Sequence, residues 1–214
     1  MMALETDSTQ TGGTKRRRLI LASRSLRRRQ LLDDAGIVHT VRLAQEIDDG
    51  DLMPGRVAPV NWVAALAYLK ARAVVETLEH GSHDSLVLGA DTVCVQDGEI
   101  IGQPANRVEA GRTIRLFEND EHEVLTGVAI VDESGTIVDL FVDRAQVCVG
   151  AIGDDAIETY LDSEQWRGKA GAYNLFERLE AGWPIEFDGD STTIVGLPMT
   201  ALAERLEGLG LSKK

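Results

Sequence analysis

A chain of 214 residues with 43% hydrophobic and 27% charged side chains has the composition of an ordinary globule with its own core. No apolar run approaches the roughly 18 residues that a membrane span needs, and a net charge of -13 excludes general binding to nucleic-acid polymers. Cys94 and Cys148 both lie in strand-like apolar runs, which points to buried free thiols in a reducing compartment, hence the cytoplasm.

Met1 to Thr14 is polar and rich in Gly and Thr, a tail expected to be disordered ahead of one domain over 15–214. Leu19 to Ala22 reads as a short buried strand. Ser23 and Ser25 follow, and Leu26 to Ala35 reads as a helix with Ser25 as its N-cap and Gly36 at its stop. A strand that turns through serines into a helix N-terminus offers backbone N–H groups and a positive dipole end to an anion. Arg24, Arg27 and Arg28 crowd the same turn, and guanidinium forks match phosphate oxygens. The plain alternative is a solvated basic face, and the two hydroxyls favour a phosphate cradle. Arg16 to Arg18 are left outside it as a flank.

Val38 to Leu43 reads as a second strand, and 46–51 as an acidic loop ending at Pro54-Gly55. A long helix is expected from Asn61 to Glu79, with Trp62, Leu66, Leu69 and Ala73 along its buried face. Lys70 on that helix either snorkels to the surface or meets a phosphate. Leu86 to Ala90 is an interior strand expected to deliver Asp91 and Thr92 at its C-terminal end, where open α/β sheets bind ligands. Asp97-Gly98 then signals a tight hairpin between 93–96 and 99–101. Asn106 with Glu109 forms a capping box for a helix to about Phe117.

Val124 to Val131 and Thr136 to Val149 pair around 132–135, and Asp155 with Glu158 suggests a cap for a helix through Leu161. Lys169 to Tyr173 reads as a small-residue loop, Ile185 to Phe187 as a strand and 188–190 as a turn. Pro198 opens a last helix ending near Gly208. The order predicts an α/β protein with a mixed sheet.

Asp91 is the first candidate for chemistry, as a general base or as a ligand for Mg²⁺ or Mn²⁺. Asp49 or Glu46 could add a second carboxylate, and Asp190 is a weaker candidate. His39, His80, His83 and His122 show no ligand spacing, and there is no CxxC, which argues against zinc. Neither GxSxG nor a Walker loop occurs.

The runs 23–28 (SRSLRR), 90–93 (ADTV), 122–128 (HEVLTGV), 169–173 (KAGAY), Gly189-Asp190 and 195–198 (VGLP) together resemble the Maf family of nucleotide pyrophosphatases. The resemblance runs from Leu19 to about Leu206. It implies a fold like the inosine-triphosphate pyrophosphatases: a mixed elongated sheet flanked by helices, with a cleft between two lobes. It further implies a metal-dependent hydrolase of acid anhydrides that cleaves nucleoside triphosphates to monophosphate and pyrophosphate, clearing non-standard or unwanted nucleotides. On the matching positions, Ser23, Ser25, Arg27, Arg28, Lys70 and Lys169 would hold substrate. Asp91 would accept a proton, Thr92 would set specificity, and Asp49 with Asp91 would hold Mg²⁺ or Mn²⁺.

Two departures stand out. Gln103 replaces the lysine of a Gly-Lys-Pro motif, which predicts slow turnover and favours the rival reading of a non-catalytic nucleotide-binding regulator of cell division. Phe176 replaces the base-reading Gln of the dTTP/UTP branch, which predicts weak base preference unless Asn174 or Glu177 reads the base instead. The expected partner is a nucleoside triphosphate, with no nucleic-acid polymer and no membrane. The metal's identity and a homodimer stay open.

Overall fold

The computed structural model describes residues 17–43, 55–78 and 84–211. Its strands are β1 (Arg18–Leu21), β2 (His39–Val41), β3 (Ser85–Gln96), β4 (Glu99–Ile101), β5 (Asp120–Asp132), β6 (Ile137–Val149) and β7 (Ile185–Asp188). They form one sheet in the order β2-β1-β3-β5-β6-β7, with β4 folded back onto β3. The pairs β1–β2 and β1–β3 are parallel and the rest antiparallel, the expected mixed sheet. Asp97 and Gly98 take φ of 51° and 81°, the left-handed pair that a two-residue hairpin needs.

The helices are α1 (Leu26–Asp34), α2 (Pro59–Val75), α3 (Arg107–Phe117), α4 (Asp154–Asp162), α5 (Leu175–Glu180), α6 (Ser191–Val195) and α7 (Met199–Gly208). Leu32 of α1 and Leu202 and Leu206 of α7 pack on Leu21, Leu88 and Ile130 on one face of the sheet. On the other face, Ala71 and Val74 of α2 cover Ile20, Val87 and Val131. At the far end of the same long strands, Phe117, Ile157, Leu161, Trp166 and Trp183 enclose a separate core around Val124 and Val147. Two lobes thus share three strands, and the cleft opens where the lobes meet.

α2 is drawn against the sheet by two glycines. A Cβ at Gly89 would fall 2.3 Å from Ala67 O, and one at Gly127 would fall 2.6 Å from Val63 O. Only bare backbone admits the helix at that distance. This explains a correction: α2 buries Val63, Leu66, Ala67, Ala71, Val74 and Val75, whereas Leu69, placed on the buried face from sequence, is 39% exposed. Small residues face the sheet because the helix lies so close. The helix also starts earlier than expected, at Pro59, whose fixed φ suits a first turn.

Other readings change too. The second strand shrinks to three residues. Gly153, not Asp155, is the N-cap of α4. α5 and α6 follow the stretches read as loop and turn, over residues to which the sequence reading gave no element. Cys94 is buried as expected, but Cys148 is only half-buried. The expected tail and the acidic loop, with Glu46 and Asp49, lie outside the described residues, as do His80 and His83. Among the described residues no helix is long and apolar enough to cross a membrane.

Candidate functional site

β1 ends with Leu21 opposite Leu88, and β4 ends with Ile101 opposite Cys94. Between them the edge of β3 from Gly89 to Val93 has no strand beside it among the described residues, and the cleft opens there. Asp91 therefore sits in the middle of a continuous strand rather than at its C-terminal end, a correction to the sequence reading. The apolar run simply continues through Val93 to Val95, so the strand does not stop at the carboxylate.

Neighbours on a strand point to opposite faces. Asp91, nine-tenths buried, meets Lys70 of α2, whose Nζ lies 2.6 Å from Oδ1. Thr92 points the other way, to Thr126 across the strand pair at 2.9 Å and to Arg28, whose Nη2 donates to it at 3.0 Å. Lys70 thus reaches the cleft and does not snorkel away from it.

The serine turn is built as the sequence suggests. Ser25 caps α1, its Oγ accepting from Arg28 N at 3.3 Å. Ser23 Oγ accepts from Ser25 N at 3.2 Å and from Arg28 Nη1 at 3.3 Å. With both lone pairs engaged, the Ser23 hydroxyl can offer a further partner only its proton, which suits an anion. The two arginines differ. Arg28 is tied to Ser23, to Thr92 and, through Nε, to Gly196 O at 2.7 Å. Burial lowers its pKa from the ordinary value, with the nearby Asp91 carboxylate opposing that shift. Arg27 also lines the cleft, and its buried Nε finds no partner among the described residues.

The opposite wall comes from the second lobe. A 3-10 turn at Ala170–Ala172 holds Gly171 at φ 65°, where a Cβ would fall 2.5 Å from Cys94 Sγ. Gly171 N donates to Gly102 O at 3.2 Å, which fixes the turn beside Gln103. Tyr173 is held through its hydroxyl by His122 Nε2 at 2.9 Å, and His122 stacks on Phe117. The Cys94 thiol lines the cleft, but burial pushes its pKa up to about 12, so it stays protonated and is no nucleophile.

A family model described as Maf-like protein matches residues 18–209. The chain belongs to the Maf family. Similar relatives are the dTTP/UTP pyrophosphatases of Pelotomaculum thermopropionicum, 36% identical over 90% of this chain and 96% of that one, and of Geobacillus sp. strain WCH70, 37% identical over 91% and 99%. That of Rhodopirellula baltica is 38% identical over 88% of this chain and 81% of its own. A dITP/XTP pyrophosphatase structure from Mycobacterium abscessus overlaps 62% of this chain and 74% of that one at 13% identity and a TM-score of 0.38. That overlap is too slight to add to the family match.

Within this Maf chain the cleft gathers Ser25, Arg27, Arg28, Lys70, Asp91, Thr92 and Gln103, with Ser23 supporting the turn from behind. Three sequence candidates are not in the cleft lining. Lys169 is nine-tenths buried and paired with Glu177 of α5, outside the cleft lining. Burial lowers its pKa while the Glu177 hydrogen bond opposes that shift. Phe176 is 49% exposed on α5 and does not line the cleft; Asn174, the cap of α5, does. Asp190 is a cap as well, its carboxylate accepting from Thr192 N, Thr192 Oγ1 and Thr200 N. Sequence reasoning missed Thr126, Thr193 and Asp143, which are joined to Thr92 by hydrogen bonds. Their only sequence signal was Thr126 within one of the quoted runs. No group of three or more potential metal ligands occurs among the described residues.

Proposed function

We propose that this chain hydrolyses nucleoside triphosphates to a monophosphate and pyrophosphate, as a cytoplasmic enzyme that clears unwanted nucleotides. The observation that carries the reading is one cleft in which a donor-rich turn (Ser25, Arg27 and the N-terminus of α1, with Ser23 behind it) faces a buried carboxylate, Asp91, braced by Lys70. The names of the relatives support it.

In this reading the serine turn and Arg27 receive the phosphates, and Arg28 holds the turn in shape. Asp91 accepts a proton from water as the water attacks the α-phosphorus. The α–β anhydride bond breaks, and pyrophosphate leaves carrying the former bridging oxygen. Lys70 fixes the carboxylate and adds positive charge beside the reacting phosphates, where preorganised charge lowers the barrier most. Gln103, an exposed residue of the cleft lining, brings no charge.

The described residues bring one carboxylate into the cleft, a donor set that fits Mg²⁺ or Mn²⁺ shared with substrate phosphates better than a protein cage. Asp91 would hold the ion together with Asp49, the latter on the family resemblance. A bound ion would supply charge neutralisation to the phosphates. The regulator reading gains nothing from the site, because the Lys70–Asp91 pair is assembled. The test is product analysis over a panel of nucleoside triphosphates with Mg²⁺, with Mn²⁺ and with chelator. Equimolar monophosphate and pyrophosphate support the proposal; binding without products sinks it and restores the regulator.

A further inference from the structure

We infer that Thr126 is a positioning residue that fixes the polarity of Thr92, so that Thr92 can meet only a hydrogen-bond donor on the bound nucleotide. This rests on the reading that a nucleoside triphosphate occupies the cleft.

Four hydrogen bonds carry the argument. Thr193 Oγ1 donates to Asp143 Oδ2 of β6, which anchors α6 to the sheet. Thr126 Oγ1 donates to Thr193 O at 2.7 Å, and a carbonyl can only accept. The single Thr126 proton is thereby assigned. In the Thr92–Thr126 contact at 2.9 Å the donor must then be Thr92. The single Thr92 proton is assigned in turn, and one of its lone pairs takes the proton of Arg28 Nη2. One lone pair remains, on a residue that lines the cleft. Thr126 and Thr193 are fully buried, so water cannot relax this order from within.

The consequence is a polarity map of the cleft. At the α1 end Arg27 and Arg28 bring guanidinium donors to the cleft lining, the Arg27 Nε without a partner among the described residues, whereas Thr92 offers only an acceptor on β3. Phosphate oxygens cannot be partners of Thr92, because two acceptors repel. The nucleotide is therefore oriented with its phosphates at α1, and an N–H or O–H of its nucleoside part meets Thr92. Two parts of a nucleoside have that chemistry: the base, through a ring N–H (uracil, thymine, guanine) or an exocyclic amino group (cytosine, adenine, guanine), and a sugar hydroxyl. The Watson–Crick edges of cytosine and uracil exchange donor and acceptor at N3 and at position 4, with little change of shape, so the pair reports which base donor Thr92 meets.

Thr126→Val removes the proton sink while keeping the outline, and Thr126→Ser keeps the hydroxyl. Both are compared with the natural protein by kcat/KM and by nucleotide-induced shift in Tm for UTP, CTP and the 2′- and 3′-deoxy analogues of UTP. A ring N–H source predicts UTP over CTP by about ten-fold or more in the natural protein, and an exocyclic amino source predicts CTP over UTP by the same factor, the order expected when a buried acceptor loses its partner. A sugar source predicts the same factor for UTP over a deoxy analogue, with UTP and CTP equal. In either case Thr126→Val lets the Thr92 hydroxyl turn and donate, and the ratio falls to within about three-fold, while Thr126→Ser preserves it. No ratio beyond about three-fold in the natural protein overturns the inference, and so does an unchanged ratio in Thr126→Val. If Thr126→Val fails to fold, Thr92→Val decides: it removes the acceptor outright, and a ratio that survives in it refutes the assignment. Discrimination in the Tm shift without any turnover would sink the pyrophosphatase reading and leave this one standing.

Discussion

Gly127→Ala tests whether the close seat of α2 on the sheet is what sets the catalytic pair. Gly127 lies directly opposite Asp91 in the β3–β5 register. A Cβ there would fall 2.6 Å from Val63 O, and ordinary contact begins near 3.4 Å, so the helix backbone must give by about 0.8 Å. Val63 and Lys70 are two helical turns apart and lie on the same face of α2, so the retreat carries Lys70 with it. Its 2.6 Å contact with Asp91 has no slack to absorb such a movement. A misplacement of about 1 Å in a catalytic group typically costs about 10²-fold in rate. Overpacking of this kind costs about 1–3 kcal/mol of stability, and a domain of this size loses about 2–4 °C of Tm for each kcal/mol. We expect kcat to fall by about two orders of magnitude with KM changed little, and Tm to fall by several degrees. The assay is steady-state pyrophosphate release together with thermal unfolding. Natural kcat combined with a lowered Tm would refute the link between helix seat and catalytic pair; natural values of both would refute the steric argument itself.

Asp91→Asn, nearly the same size, should keep Tm within a few degrees and lower kcat by about 10²- to 10⁴-fold, the usual range for loss of a general base; natural turnover would remove Asp91 from the mechanism. Arg27→Ala should raise KM about ten-fold or more with Tm unchanged, whereas Arg28→Ala should lower Tm as well, because Ser23, Thr92 and Gly196 O lose their common donor. Equal effects of the two in both assays would contradict the division of labour. His122, buried against Phe117, has its pKa pushed down from 6.5 to about 4 by burial, with Asp120 opposing. Protons then bind the unfolded chain preferentially between those values, so the stability is present above pH 6.5 and lost as pH falls through 4. At about 1.4 kcal/mol per pKa unit the loss is about 3 kcal/mol, and urea unfolding at pH 7 and pH 4.5 should show most of it in the natural protein and little in His122→Phe.

What the sequence made legible was local. Ser25 as a cap, Asp97-Gly98 as a hairpin and Asn106 with Glu109 as a capping box each involve residues within four positions; the first two form as read, and in the third Glu109 accepts from Ala105 N and the Asn106 amide. The strand order could be expected as mixed, but Asp91 was placed at a strand end because nothing in Leu86 to Ala90 announces that β3 runs on to Gln96. α5 and α6 have six and five residues, too short for helical periodicity to register. Their caps, Asn174 with Glu177 three residues on and Asp190 before Ser191, were the available signal. Lys169 sits beside cleft residues in the chain, yet its side chain turns to Glu177, a choice made by tertiary packing that motif matching does not see. The Thr126 relay depends on cross-strand register, the property least written into a local sequence.

Position of attack is the central claim, and oxygen labelling reads it directly. Hydrolysis of a nucleoside triphosphate in ¹⁸O-enriched water, with the products separated and weighed by mass spectrometry, shows which phosphorus received the water. The account predicts one ¹⁸O atom in the nucleoside monophosphate and none in the pyrophosphate. Label in the pyrophosphate, or release of nucleoside diphosphate with orthophosphate, would contradict it.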